Sequence, residues 1–399
     1  MKRTLEGLTI LDFTQVAAGP ACTMMLADRG AEVIKVESPA GDLGRQLGPP
    51  WQNGQSVIFM ALNRNKRSIV LDLKSGQDLE TARRLMARAD VVVESFRPGV
   101  MQRLGLGYET ARGLKSDLIY CSISAYGQHG AERHKPGVDG IVQAASGLMS
   151  VCGVPGGEPS KVQAPVIDMS TGILAAFAIQ DALLHRAATG EGQWLDVSMY
   201  ASAMQLQQTS LASYLSTGEV PEPCGSAAPY SAPNEAYPTS DGWIMVAAYH
   251  PQRWEAFCQL LGCPGLAADT RFTTSNERVL NRRALAEIVG PAMRRKTTRQ
   301  WLELLESADI ICAPVADYAA VTASAAFAQG RYAARFRHKE AGEVAVIGPY
   351  DVEAGGRRCA HGLMPSPGLG EHTQEILSDL AGSGFAGAAA PAGKGVPLP

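Results

Sequence analysis

The chain lacks the patterns on which the common nucleotide and metal chemistries depend. No G-x-x-x-x-G-K-[ST] run is present and no G-x-G-x-x-G follows the first predicted strand, so ATP and dinucleotides find no glycine-rich phosphate cradle. The seven histidines form no H-x-H or H-E-x-x-H pattern and the eight cysteines no C-x-x-C pair, so no metal ligand set is expected. Cys22, Cys121, Cys152, Cys224, Cys258, Cys263, Cys312 and Cys359 are scattered without an adjacent histidine and read as reduced core or loop thiols. An excess of one charge is missing too. The net charge is −3 and the pI near 6.2, which gives no field for a nucleic-acid backbone or an anionic membrane, so a polyanionic ligand must be held by local cations. The N-terminal MKRTLEGLTILDF is broken by Glu6 and Asp12, so it reads as neither signal peptide nor membrane span, and a cytoplasmic protein is expected.

What is present, over 399 residues with 46% apolar and 19% charged, is the composition of a soluble two-domain protein. The first part alternates β-branched apolar runs with helical patterns, as a doubly wound α/β sheet does. Strands are predicted at Leu8–Phe13, Glu32–Val36, Ser68–Leu73, Asp90–Glu94, Leu118–Ser122 and Trp194–Val197. Helices are predicted at Gly19–Arg29, Gly76–Arg88 and Ile173–His185, with another beginning near Met199. Five prolines in 218–238 suggest a linker into a smaller domain with a strand at Trp243–Ala247. Its helices are predicted around Trp254–Leu261, Arg283–Arg294 and Thr298–Ser307. From about Phe327 short strands such as Glu343–Ile347 return to the first domain. The expected division is therefore 1–217 with 327–380 as a large domain, 218–326 as linker and small α+β domain, and 381–399 as a frayed Gly/Ala/Pro tail.

Asp168, in APVIDMSTG, stands where a strand or loop meets the long apolar helix. Two roles fit that place. Aspartate is among the best helix N-caps, although its capping-box partner is missing because position 171 is threonine. A helix start also suits a nucleophile, since main-chain N–H groups there can stabilise an adjacent oxyanion. The cations are equally open: Arg64, Lys66 and Arg67 in the turn NRNKRS, Lys74 after a strand, and Arg97 and Arg103 in FRPGVMQRLG. Isolated charges of this kind are usually solvated.

The stretches LDFTQVAAGP, ADRGAEVIKVE, NRNKRSIVLDLK, FRPGVMQRLGLGYE, YCSISAYGQHG, GLMSVCG, DMSTG, TGEGQWLDVSM and LGEHTQEIL occur in order, and with them the chain resembles the class III coenzyme A transferase family over about residues 3–380. The resemblance implies a doubly wound, Rossmann-like large domain plus a smaller α+β domain in an interlocked, ring-like homodimer. It implies that Asp168 attacks an acyl-CoA, passing through an aspartyl anhydride and an aspartyl-CoA thioester to a small carboxylic acid. Coenzyme A would be a substrate rather than a resident cofactor. The family's contacts to it carry over to Val16, Ala17, Ala18, Leu71, Lys74, Phe96, Arg97, Arg103 and Lys135, with Gln15, Val138 and Asp139 beside the reacting groups. Arg97 and Arg103 would take the adenosine and phosphate end. Ser95 stands where the family commonly has asparagine. The formyl-CoA branch carries a glycine run that the segment 222–238 lacks, so formyl-CoA:oxalate exchange is not expected. Racemases of the same fold place histidine before the aspartate of KPGVDGI. Here that residue is Val138, which cannot relay a proton.

Overall fold

The computed structural model describes residues 3–350 and 363–382. The chain forms two compact units, one of Met1–Leu148, Lys161–Glu219 and Arg331–Pro399, the other of Met149–Ser160 and Val220–Gly330. Sequence reading assigns 149–160 to the large domain, whereas this excursion belongs to the second unit.

In the first unit, β1 (Thr9–Phe13), α1 (Ala18–Asp28), β2 (Glu32–Glu37), β3 (Lys66–Val70), α2 (Gly76–Met86), β4 (Val91–Glu94) and β5 (Ile119–Ser124) come first. Then follow α3 (Asp139–Ala145), α4 (Val166–Thr189), β6 (Trp194–Ser198) and α5 (Met199–Leu206). All six strands are parallel, in the order β3-β2-β1-β4-β5-β6. Their near-continuous apolar runs are what a sheet covered on both faces requires. One layer packs Leu11, Ile34, Ile69 and Val92 against Leu85 and Met86 of α2. The other packs Ile10, Val33, Val91 and Ile119 against Leu26 of α1 and Ile179 of α4. The order in which successive strands are added reverses between the parallel neighbours β1 and β4, which opens a crevice beyond their carboxyl ends.

The strand predicted at 68–73 begins at Lys66 instead, because two of the cations read as a solvated turn are structural. Lys66 is buried and bonds Asp12, while Arg64 is buried against Asp28. Arg67 is half-buried among Glu32, Glu375 and Asp379. The long helix is also larger than its apolar core suggested, starting at Val166 and ending at Gly190, whose φ of 78° makes a left-handed C-cap. It is long and apolar enough to cross a membrane by length and composition, yet Ala175, Ala176, Ile179 and Ala182 are buried in the sheet's second layer. Gly172 lets it approach α1: a Cβ there would lie 2.9 Å from Ala18 O and 2.9 Å from Ala21 Cβ.

The second unit has a three-stranded antiparallel sheet of β7 (Asn234–Pro238), β8 (Trp243–Ala247) and β9 (Ile311–Pro314), so the end of the expected linker is a strand. Helices α6 (Pro251–Leu260), α7 (Arg282–Met293) and α8 (Thr298–Ser307) cover it with Trp254, Phe257, Leu285 and Trp301. The first unit resumes with a hairpin of β10 (Ala333–His338) and β11 (Gly342–Ile347) and the helix α9 (Thr373–Ala381), whose Ile376 and Leu380 enter the first layer. Cys359 and the residues from 383 on lie outside the described residues.

Candidate active site

A pocket of about 590 Å³ opens at the carboxyl ends of β1, β4 and β5, where the sheet order reverses. Its walls come from the loop and helix start at 15–19, Leu43, the loop 95–98, residues 123–125, Arg133, the segment 135–138, Ile141, Asp168 and Met199. Nine of the thirteen residues expected at the site line it: Gln15, Val16, Ala17, Ala18, Phe96, Arg97, Lys135, Val138 and Asp168. Four do not. Leu71 is buried in the core, Lys74 and Arg103 are exposed outside the lining, and Asp139 is buried behind the wall. Arg133, not singled out by sequence, does line it.

Asp168 is the only acidic side chain of the wall among the described residues. It sits in the first turn of α4, not at the N-cap, which is Pro165. Proline has no N–H, so the capping-box return bond from a carboxylate at this position is unavailable. The capping role belongs to Asp139, whose Oδ2 accepts the N–H of Ile167 at 2.8 Å and of Asp168 at 3.1 Å. Asp168's own carboxyl forms no hydrogen bond among the described residues and faces the pocket. Partial burial, then the charge of Asp139, pushes its pKa up to about 7. A carboxyl so placed is a stronger nucleophile when ionised than one held by hydrogen bonds.

The loop after β1 is shaped from below by charges the sequence reading did not connect. Asp12 and Lys35 are register partners in β1 and β2, both buried. Asp12 accepts the N–H of Thr14 at 2.8 Å and the hydroxyls of Thr14 and Thr23 at 2.5 and 2.7 Å. Its second oxygen also takes Lys66 Nζ at 3.1 Å. Lys35 Nζ donates to Thr14 O at 2.8 Å and lies 2.7 Å from Asp42. Asp42 Oδ1 accepts the N–H of Val16 at 2.9 Å, which holds this β-branched residue at a φ of 71°. Burial alone would raise Asp12, but Lys66 and Lys35 outweigh it and hold it below the ordinary carboxylate range, while burial draws Lys66 down to about 8. A charged residue inside each of two strands, Asp12 in TILDF and Lys35 in EVIKVE, was the available signal.

Ser95 Oγ accepts the N–H of Gln15 at 3.1 Å, so the serine that departs from the family's asparagine ties the two loops of the crevice together. Glu94 Oε2 accepts the N–H of Phe96 at 2.9 Å, and burial pushes its carboxyl up to about 7. Lys135 pairs with Glu132, while Arg133 Nε meets His134 at 3.0 Å. His129 packs edge-on to Trp194, and neither histidine lines the pocket. The cysteines are no rivals for Asp168. Cys22, Cys121 and Cys258 are buried with pKa values raised by desolvation, Cys258 to about 12, and no cysteine lines the pocket among the described residues. No group of three or more His, Cys, Asp or Glu among the described residues could hold a metal.

The sequence model of CoA-transferase family III matches residues 5–373. The succinyl-CoA:glutarate CoA-transferase of Mus musculus is 36% identical over 379 residues, covering 95% of this chain and 86% of the relative. The succinyl-CoA:mesaconate CoA-transferase of Haloarcula hispanica is 37% identical over 393 residues, covering 95% and 97%. The crystal structure of a CAIB/BAIF family protein from Brucella suis superposes with a TM-score of 0.84 at 33% identity, over 95% of this chain and 100% of that one.

Proposed function

Because this chain belongs to CoA-transferase family III, we propose that it moves coenzyme A from the thioester of a small dicarboxylic acid to a second such acid, with Asp168 as covalent carrier. The observation that carries this reading is a half-buried carboxyl that, among the described residues, forms no hydrogen bond and is the sole acid in a pocket whose other charged walls are Arg97, Arg133 and Lys135. The ionised carboxylate attacks the thioester carbonyl. Its oxygen forms the new C–O bond, the C–S bond breaks, and the electron pair leaves with the CoA thiolate. The thiolate then attacks the aspartyl carbonyl of the anhydride, releasing the donor acid and leaving an Asp168-CoA thioester. The acceptor carboxylate attacks that thioester to form a second anhydride, and the thiolate takes the acceptor's acyl group, restoring Asp168. One thioester replaces another, so no metal or external energy source enters.

The first turn of α1 borders the pocket at Ala18 and Gly19, and helix-start N–H groups lack intrahelical acceptors, which supports stabilisation of the tetrahedral oxyanions there. Arg97, Arg133 and Lys135 suit the phosphates of CoA and the second carboxylate of a dicarboxylic acid. The relatives named above act on succinyl-CoA with glutarate or mesaconate, which supports that substrate class. Val138, 63% exposed on the pocket wall, has no proton to exchange, so racemisation is not supported. We also propose a homodimer in which the exposed Ile173, Phe177 and Leu184 of α4 are covered by a second copy. The test is Asp168→Ala. It is expected to lower succinyl-CoA to glutarate transfer by about 10⁴-fold while retaining CoA binding. Intact-protein mass spectrometry of the wild type should find a CoA adduct mapping to Asp168. Substantial turnover by the variant would sink the mechanism.

A further inference from the structure

Asp139 was expected to touch substrate, but its carboxylate is committed elsewhere. It is 8% exposed, absent from the pocket wall, and reaches from the first turn of α3 to the start of α4. While Oδ2 takes the N–H groups of Ile167 and Asp168, Oδ1 accepts Gln143 Nε2 at 2.5 Å. Gln143 is fully buried and bonds both main-chain groups of Val162, at 3.1 and 2.9 Å. The carboxylate is therefore anchored on both oxygens, and it cannot turn into the pocket without breaking bonds to three residues.

We propose that Asp139 is a positioning residue of the transfer reaction: it fixes the nucleophile's helical turn, and its negative charge behind Asp168 favours the acylated, uncharged forms of that carboxyl over the free carboxylate. The inference rests on Asp168 being the covalent carrier. Its physical basis is a difference between states. A free Asp168 carboxylate repels Asp139, whereas the anhydride and the thioester carry no charge on Asp168 and feel no such repulsion. The partners are already in place in the ground state, so nothing reorganises when the charge disappears.

Among the described residues no other group offsets this effect at close range. On α4 the next charged residue is Asp181, more than three turns away. The packed helix α1 carries no charge before Asp28, α5 carries none, and Asp196 of β6 is bonded by the N–H of Gln128. Tyr120 and Cys121 of β5 are buried with raised pKa values, hence neutral. Lys161 runs beside Gly140 without forming an ion pair with Asp139, and Arg97, Arg133 and Lys135 face the pocket from exposed loops. In agreement, the raised pKa of Asp168 has burial and Asp139 as its causes.

The test compares wild type, Asp139→Asn and Asp139→Glu with succinyl-CoA as donor and glutarate as acceptor. Asparagine keeps an oxygen for the helix N–H groups and removes the charge; Asp139→Ser, a small uncharged capping residue, serves if that variant does not fold. Asp139→Asn is expected to lower the occupancy of the Asp168-CoA adduct and kcat by about tenfold, with KM for succinyl-CoA within about threefold. Asp139→Glu, which restores the charge, should recover most of both. A substrate-free arm measures how Asp168→Asn changes the melting temperature across pH, with and without Asp139→Asn. The midpoint near 7 should move down by about one pH unit when the Asp139 charge is removed. Wild-type adduct occupancy in Asp139→Asn, or an unmoved midpoint, would overturn the proposal while leaving the carrier role of Asp168 intact. An adduct on another residue would instead refute the carrier itself.

Discussion

Two sets of charges surround the crevice, and they differ in everything but their proximity to it. Beneath the loop after β1, Asp12, Lys35, Asp42 and Lys66 are almost wholly buried and bonded to one another, to threonine hydroxyls and to main-chain groups. At the mouth, Arg97, Arg133 and Lys135 are exposed, and no carboxylate pairs with Arg97 or Arg133 among the described residues. Buried charges of the first kind cannot meet a ligand. They fix backbone, here an unfavourable left-handed valine at the pocket wall. Charges of the second kind are held by little and contribute little to folding, which leaves them available to a polyanion. Function in this crevice is thus divided between cations that shape it and cations that can bind.

The comparison is broken most severely by removing one buried partner. Asp12→Ala leaves Lys66 in the interior without its carboxylate partner and removes a negative charge near Lys35, which keeps Asp42, and a loss of about 3–5 kcal/mol is expected in denaturant unfolding. A change below about 1 kcal/mol would show that this network does not hold the loop. At the mouth the same kind of deletion should spare stability and act on binding. Arg97→Ala is expected to raise the KM for acyl-CoA by about 10–100-fold with kcat little changed, as loss of a charge-assisted hydrogen bond of about 1–3 kcal/mol implies. Arg103→Ala should raise it less, because Arg103 lies outside the lining. Equal effects would mean that CoA extends past the pocket as far as the residue carried over from the family.

Asp168 stands between the two classes, half-buried yet facing the pocket, and its pH dependence sharpens the contrast by the smallest effect. Its pKa is raised from 3.8 to about 7 on folding, so the folded state holds the proton more tightly than the unfolded one. The stability this contributes is fully present below the unfolded value and is lost as pH rises to about 7. Asp168→Asn, which mimics the protonated form, should therefore leave the melting temperature unchanged near pH 4 and raise it at pH 8. The gain expected at pH 8 is about 1–2 kcal/mol after solvent screening. Glu94 titrates near the same value, and taking the difference between the two proteins cancels it.

Much of the fold was legible in the sequence because burial on both faces of a parallel sheet leaves long β-branched runs, and the helix periodicity between them is hard to mistake. Asp168 was legible as a residue and ambiguous as a role. Its surroundings read aspartate at a helix start, and one dimension cannot tell a cap from a nucleophile. The structure takes the capping role from Asp168 by bringing Asp139 across from another helix to accept the N–H groups of Ile167 and Asp168, 28 and 29 residues away in the chain. The same holds for Lys66, which reads as a solvated turn until β3 pairs with β2 and β2 with β1, and Asp12 meets it 54 residues away. The sequence by itself determined most strands and helices of the large sheet unit, the family, and the presence of an aspartate at the start of the long helix. Only the tertiary structure decided which charges are buried supports and which face the pocket, since that depends on strand order and on helix-to-helix approach at Gly172. Local patterns carry information about solvent exposure one turn or one strand at a time, whereas the electrostatic partner of a group is whatever the packed chain brings within a few ångströms of it.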